Sequence, residues 1–261
     1  MLGAVIGDMV GSVYEWDNRK SKDFSPFFHA RSHPTDDSVL TIAVADVLLN
    51  KRSPVHAFKD WGRRYPESGW GGHFKRWLFS DETAPYGSFG NGAAMRVSPT
   101  ALVGKTLDET LASARRVTEI THDHPEGIKG ATATAHAIFL AYEGVELAEI
   151  RAVIQEAYGY DLERTVDGIR PDYKFDVTCQ GSVPEALICV FEGTGFEDAI
   201  RNAISIGGDS DTLAAIAGGF AEARFGIPPE IAAEAWHRLP PDMRGILETL
   251  YKNTHRPPPV R

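Results

Sequence analysis

Two stretches of this 261-residue chain are apolar around the whole circumference of a helix, and each opens on paired aspartates. Leu213 to Phe225 carries Leu213, Ile216, Ala217 and Phe220 at helical spacing, and Val39 to Leu49 is nearly uniformly apolar. A helix with no polar side has to be buried, so both segments are predicted to be core helices. Their mouths read Gly207-Gly208-Asp209-Ser210-Asp211-Thr212 and Thr35-Asp36-Asp37-Ser38. Capping needs one side-chain oxygen per helix start, and one Asp at either mouth would be explained that way. The second Asp in each cluster needs another reason. If the two mouths meet, four carboxylates and two threonine hydroxyls converge, each acid raising the pKa of the next. A divalent cation removes that conflict. Oxygen donors without Cys or His favour Mg, Mn or Ca over Zn, and two ions sharing carboxylates would sit roughly 3.5–4 Å apart.

Apolar residues make up 43% of the chain, enough for a large interior, and no Ser- or Pro-rich linker divides it. One compact domain is expected over residues 1–254, followed by a basic, Pro-rich tail over residues 255–261. The net charge of −9 argues against a nucleic-acid scaffold, which needs a positive surface. Cys179 and Cys189 are too few for a disulfide framework, so a reducing, cytoplasmic setting is expected. Residues 2–13 lack the basic start of a targeting segment, and no run approaches the ~18 apolar residues of a membrane span.

Gly3, Gly7 and Gly11 recur every fourth residue and would form one smooth helical stripe for close backbone approach. Asp8 and Glu15 flank that stripe. Either reads as an ordinary surface charge, and Glu15 is the better ligand candidate. Residues 17–34 read as a long loop of the kind that often forms a lid. Ser53-Pro54 starts a short helix. Gly69 to Gly92 is dense in glycine and reads as a loop; where such a loop runs into a helix it can hold a phosphate. Thr121-His122-Asp123-His124-Pro125 follows another helix, and its spacing suits hydrogen bonding better than zinc. His136 lies within the next helix and is expected to be packed. A loop from Tyr158 to Gly181 precedes Ser182-Val-Pro-Glu185, a capping-box pattern that predicts a helix start at Ser182. Strand alternation is nearly absent. An all-α fold, a single orthogonal helical bundle with long functional loops, is expected.

Five stretches in order, Gly7-Asp-Met-Val-Gly-Ser-Val-Tyr-Glu15, Thr35-Asp36-Asp37-Ser38, Gly87-Ser-Phe-Gly-Asn-Gly-Ala-Ala-Met-Arg96, Thr121-His-Asp-His-Pro125 and Gly207-Gly-Asp-Ser-Asp-Thr212, resemble the motifs of the ADP-ribosylglycohydrolase family. The resemblance implies an all-helical fold with two Mg2+ or Mn2+ ions held by Glu15, Thr35, Asp36, Asp37, Asp209, Asp211 and Thr212. It implies that Glu15 or Asp36 moves the catalytic proton. Gly87, Ser88, Phe89, Gly90, Asn91 and Gly92 would hold the diphosphate and nearby ribose, His122 would contact the ligand, and Phe89 or Tyr86 could stack on adenine. The implied activity is hydrolysis of the bond between ADP-ribose and an attached group. The partner would be ADP-ribose or an ADP-ribosylated protein or small molecule, with nucleic acid only as a modified substrate, no membrane, and a monomeric enzyme. Two other readings stand beside it: a metal-dependent phosphohydrolase of nucleotides, and a catalytically silent ADP-ribose-binding or structural protein.

Overall fold

A computed structural model of the chain describes residues 1–256. The helices in order are α1 (Leu2–Gly11), α2 (Asp36–Asn50), α3 (Pro54–Arg64), α4 (Gly72–Phe79), α5 (Gly92–Met95), α6 (Ser98–Val103), α7 (Leu107–Thr118), α8 (Pro125–Tyr142), α9 (Leu147–Tyr158), α10 (Val166–Ile169), α11 (Cys179–Phe191), α12 (Phe196–Ile206), α13 (Ser210–Phe225), α14 (Pro229–Arg238) and α15 (Pro241–Asn253). Among the described residues the only extended pairing is an isolated antiparallel bridge between Gly90 and Thr178. The fold is all-α, as its periodicity predicts.

The two apolar runs are core helices. In α13 every residue from Ser210 to Ala223 is buried, and in α2 every residue from Asp37 to Val47. Around α13 pack α1, α12, α11 and α8. The glycine stripe explains how closely α1 lies on α13. A Cβ at Gly3 would run into the carbonyl of Gly218, one at Gly7 into the carbonyl of Ala214, and one at Gly11 into the backbone of Asp211. As α1 advances its partners on α13 recede in number, so the two helices are antiparallel. The C-terminus of α1 therefore abuts the N-terminus of α13, and whatever follows Gly11 is delivered to the Asp209–Thr212 mouth.

Two local expectations are corrected. The glycine-dense stretch contains a helix, α4, because Phe74, Trp77 and Leu78 form a buried stripe between the flanking glycines. The helix expected at Ser182 begins at Cys179, with Thr178 as its cap accepting from Gly181 N–H, and Pro184 lies inside it. Glu185 is therefore no capping-box acid, and it pairs with Arg164 at 2.7 Å. The loop at residues 17–34 is anchored at several points. Phe24 and Phe28 are buried under Arg201 and Arg238, and Lys20 donates to the carbonyls of Arg170, Tyr173 and Ile206.

His136 is packed against Tyr158, its Nδ1 3.2 Å from the phenol oxygen. Of the expected tail, Arg256 stacks over Phe139 and Tyr142, and residues 257–261 lie outside the described residues. Among the described residues no helix is long and apolar enough to cross a membrane.

Candidate active site

The mouths of α2 and α13 meet. Carboxylate oxygens of Asp8, Asp37 and Asp211 lie within 4.8 Å of one another, and so do those of Glu15, Asp209 and Asp211. Asp211 belongs to both groups and links them. Thr212 Oγ1 crosses between the helices to donate to Asp37 at 3.3 Å. Asp36 stands outside both groups, partly exposed beneath Ser68 and Gly69, although its charge is felt alongside those of Asp8, Asp209 and Glu15.

Capping does not account for these acids. The start of α2 is capped by Thr35, whose Oγ1 accepts from Asp37 N–H, and by the Asp8 carboxylate, which accepts from the N–H groups of Thr35 and Ser38. Asp8 also accepts from both hydroxyls, Thr35 Oγ1 at 2.6 Å and Ser38 Oγ. Four hydrogen bonds hold it, three on Oδ2 and one on Oδ1. Asp8 is thus a brace that orients Thr35 and α2, while neither α2 aspartate side chain is used to cap the helix. Asp209 stands at the cap position of α13 but makes no side-chain cap bond.

Burial and mutual repulsion set the electrostatics. Asp37 and Asp211 are each held well above the usual carboxylate range, first by burial and then by neighbouring charges that are themselves carboxylates. Asp37 Oδ1 is buried without a hydrogen-bond partner. An orphaned carboxylate oxygen inside a cluster of acids is costly unless a cation meets it. An all-oxygen donor set of Asp, Glu and Thr suits a hard divalent ion. The residues present fit such an ion.

The turn that carries the second cluster is shaped by glycine. Gly207 and Gly208 both have positive φ, 77° and 73°, and a Cβ on Gly208 would lie 2.6 Å from the Tyr173 ring. Asn18 clamps this turn, accepting from Gly208 N–H at 2.7 Å and donating to its carbonyl. Glu15, in the turn beyond α1, is thereby held half-buried beside Asp209 and Asp211. Burial and then Asp209 push it up to about 7, against a side-chain hydrogen bond from Trp16.

The glycine loop lies between two other segments. Gly87 N–H donates to Asp123 Oδ1, Ser88 N–H to the Thr121 carbonyl, Asn91 N–H to the Val177 carbonyl, and Cys179 N–H to the Phe89 carbonyl. Asn91 spends its amide on Asp209 Oδ2 at 2.7 Å, so it braces the second acidic cluster. His122 is buried with Nε2 against Gly90 and Gly92, where a Cβ on either would come within 3.4 Å. Phe89 is exposed at the rim beside His124, whereas Tyr86 is half-buried between His73 and His122.

Sequence reasoning passed over three features here. Asp8 read as a surface charge, although an acid on the stripe of an otherwise apolar helix signals an interior partner. Arg96, fully buried behind His122, carried no role. Trp16 and Phe175 stack at 5.2 Å on the outer rim next to Glu15 and Asp176, a pairing with no sequence signal because 159 positions separate them (175 − 16).

Comparison with known proteins bears on the same frame. The ADP-ribosylhydrolase ARH3 of Mus musculus is 25% identical over an alignment covering 98% of this chain and 90% of its own. The ADP-ribosylarginine hydrolase Tri1 of Pseudomonas putida (strain GB-1) is 27% identical across 90% of this chain and 73% of its own. A solved structure described as an ADP-ribosylglycohydrolase-related protein complex matches in fold, with a TM-score of 0.72 at 24% identity over 96% of both chains. A family model described as ADP-ribosylglycohydrolase matches residues 1–258, which include both acidic mouths, the glycine loop and the His122 segment, and the chain therefore belongs to the ADP-ribosylglycohydrolase family.

Proposed function

We propose that the chain is a metal-dependent hydrolase that cleaves the bond between the anomeric carbon of ADP-ribose and an attached group. The observation that carries the reading is Asp211, shared by two groups of converging buried carboxylates beside a glycine loop. Two Mg2+ or Mn2+ ions would be held by Asp37, Asp209 and Asp211 with Thr35, Asp36, Thr212 and Glu15. Once bound, such ions supply positive charge that polarises a water and offsets the developing negative charge.

The chain's own groups do the rest. Glu15, in one of the acidic groups, and Asp36, beside them, are the partly exposed acids placed to exchange protons with a substrate. In hydrolysis a water oxygen bonds to the anomeric carbon as the bond to the leaving atom breaks. One carboxylate takes the water's proton and returns one to the leaving atom. Glu15, half-buried at the edge of the acidic groups, is placed for that exchange. The diphosphate would lie along the loop of Gly87, Ser88, Gly90 and Gly92 with His122 behind it; because the N–H groups of Gly87, Ser88 and Gly90 already donate to Asp123, Thr121 and Ser88 Oγ, the His122 side chain is the donor this seat would rely on. The exposed face of Phe89 lies where a base can stack. Asn91 serves the site by holding Asp209 in place.

The test presents defined ADP-ribosylated conjugates of arginine, serine, a nucleobase and a small molecule to the full chain with Mg2+ or Mn2+. Release of free ADP-ribose from at least one conjugate, abolished by chelator, is expected. Release of inorganic phosphate instead would favour the phosphohydrolase reading. Tight ADP-ribose binding with every conjugate intact would favour the silent binder.

A further inference from the structure

The surroundings of His122 decide which of its nitrogens carries the proton. Its Nδ1 lies 2.8 Å from Thr121 Oγ1 and 3.4 Å from Arg96 Nη2. The same Nη2 donates to Thr121 Oγ1 at 2.9 Å and to the Val117 carbonyl at 3.3 Å. A guanidinium has no acceptor, so Thr121 Oγ1 receives from Arg96 and directs its own hydrogen elsewhere. The nearby acceptor is Nδ1. A hydrogen on Nδ1 would point at the guanidinium N–H, so the ring hydrogen of the neutral imidazole belongs on Nε2. That nitrogen is the one turned to Gly90 and Gly92.

Arg96 is unusual in its own right. It is fully buried, its hydrogen bonds go to a carbonyl, a hydroxyl and an imidazole, and its Nε and Nη1 meet no partner. The Phe58 ring, 4.8 Å away, gives its charge a favourable face, and Asp36 adds an attraction without a direct ion pair. Leaving a cation so poorly compensated is costly. It lies behind the loop that an anionic diphosphate would occupy.

We propose that Arg96 and Thr121 form a relay that locks His122 as the Nε2–H tautomer and aims that donor, backed by the positive charge of Arg96, at the diphosphate of the substrate. Arg96 and Thr121 are positioning residues, and His122 is the group that touches the ligand. The groups facing the imidazole are Arg96 and Thr121 behind it and Tyr86 from the glycine loop, with Asp123 the next residue and Cys179 on α11 across Gly90. Burial and Arg96 both hold the ring well below the usual histidine range, so it donates as a neutral group. The diphosphate half of the proposal rests on the proposed function; the tautomer does not.

The test is 15N imidazole NMR on the full chain, with the His122 signals assigned by their loss in His122→Gln. The wild-type ring is expected to show Nε2–H and bare Nδ1 throughout the range from about pH 5.5 to about pH 8. Thr121→Val is expected to mix the tautomers and to weaken free ADP-ribose binding by roughly five- to tenfold in calorimetry. Thr121→Ser keeps the hydroxyl and is expected to restore both, so a general folding defect is separated from loss of the relay. An Nδ1–H or doubly protonated ring in the wild type near neutral pH overturns the lock. Unchanged ADP-ribose affinity in Thr121→Val, with the tautomers scrambled, overturns its role in binding. A wild type that binds no ADP-ribose overturns the functional reading of the loop, and the spectra still decide the tautomer.

Discussion

Asp8 and Asp211 lie within a few ångströms of each other and do opposite work. Asp8 is held by four donors and braces α2, whereas Asp211 is left among like charges. This difference predicts how Asp211→Asn behaves. It should abolish turnover and, in chelator, raise the melting temperature above wild type, because the cost of forcing one buried acid among others to keep its proton is gone. In saturating Mg2+ the order should reverse. Equal activity, or a lower melting temperature in chelator, would contradict the assignment. Asp211 is legible in the sequence as the aspartate a cap does not need. Asp8 is not, since its partners Thr35 and Ser38 stand some 30 positions away and nothing local marks them.

Helix α1 shows what an element can announce about itself. Glycines every fourth residue declare a close helix contact, and α13 supplies the backbone that fills it. Gly7→Val should cost about 3 kcal/mol or more in denaturant unfolding, since the new side chain meets the Ala214 backbone and cannot rotate away. A loss below about 0.5 kcal/mol would mean the helices separate without penalty. Elements were harder to read where punctuation misled. Flanking glycines hid the three-residue apolar stripe of α4, and Ser182-Val-Pro-Glu185 imitates a helix start while Thr178 makes the real one. Pro184 sits early in α11, where its missing N–H leaves only the carbonyl of Gln180 to be satisfied otherwise.

At the scale of the whole molecule the acidic centre is a product of topology. Each mouth can be seen in the sequence, but their meeting depends on α1 running antiparallel to α13 and on Asp8 tying α2 to α1. No periodicity encodes that. The meeting also gives stability a pH dependence with a definite sign. Asp36, Asp37 and Asp211 hold their protons in the metal-free native state at pH values where an unfolded Asp, near 3.9, has released them. The native state then binds more protons, so stability rises as pH falls from about 7 toward about 4.5. His122 works in the other direction below about 6.5, because its depressed value refuses a proton that the unfolded chain accepts, but it is one proton against several. In chelator the melting temperature should therefore climb on mild acidification, and bound Mg2+ should flatten or invert the trend. A chelated protein that loses stability steadily over that window would contradict the coupled cluster.

The most direct measurement is calorimetric titration of chelator-stripped protein with Mn2+ or Mg2+, run on wild type and on Asp37→Asn. Two ions per chain with proton release on binding are expected for the wild type, and loss of at least one of them in the variant. Absence of saturable binding by the wild type, or full stoichiometry in the variant, would contradict the claim that the two acidic helix mouths exist to hold metal.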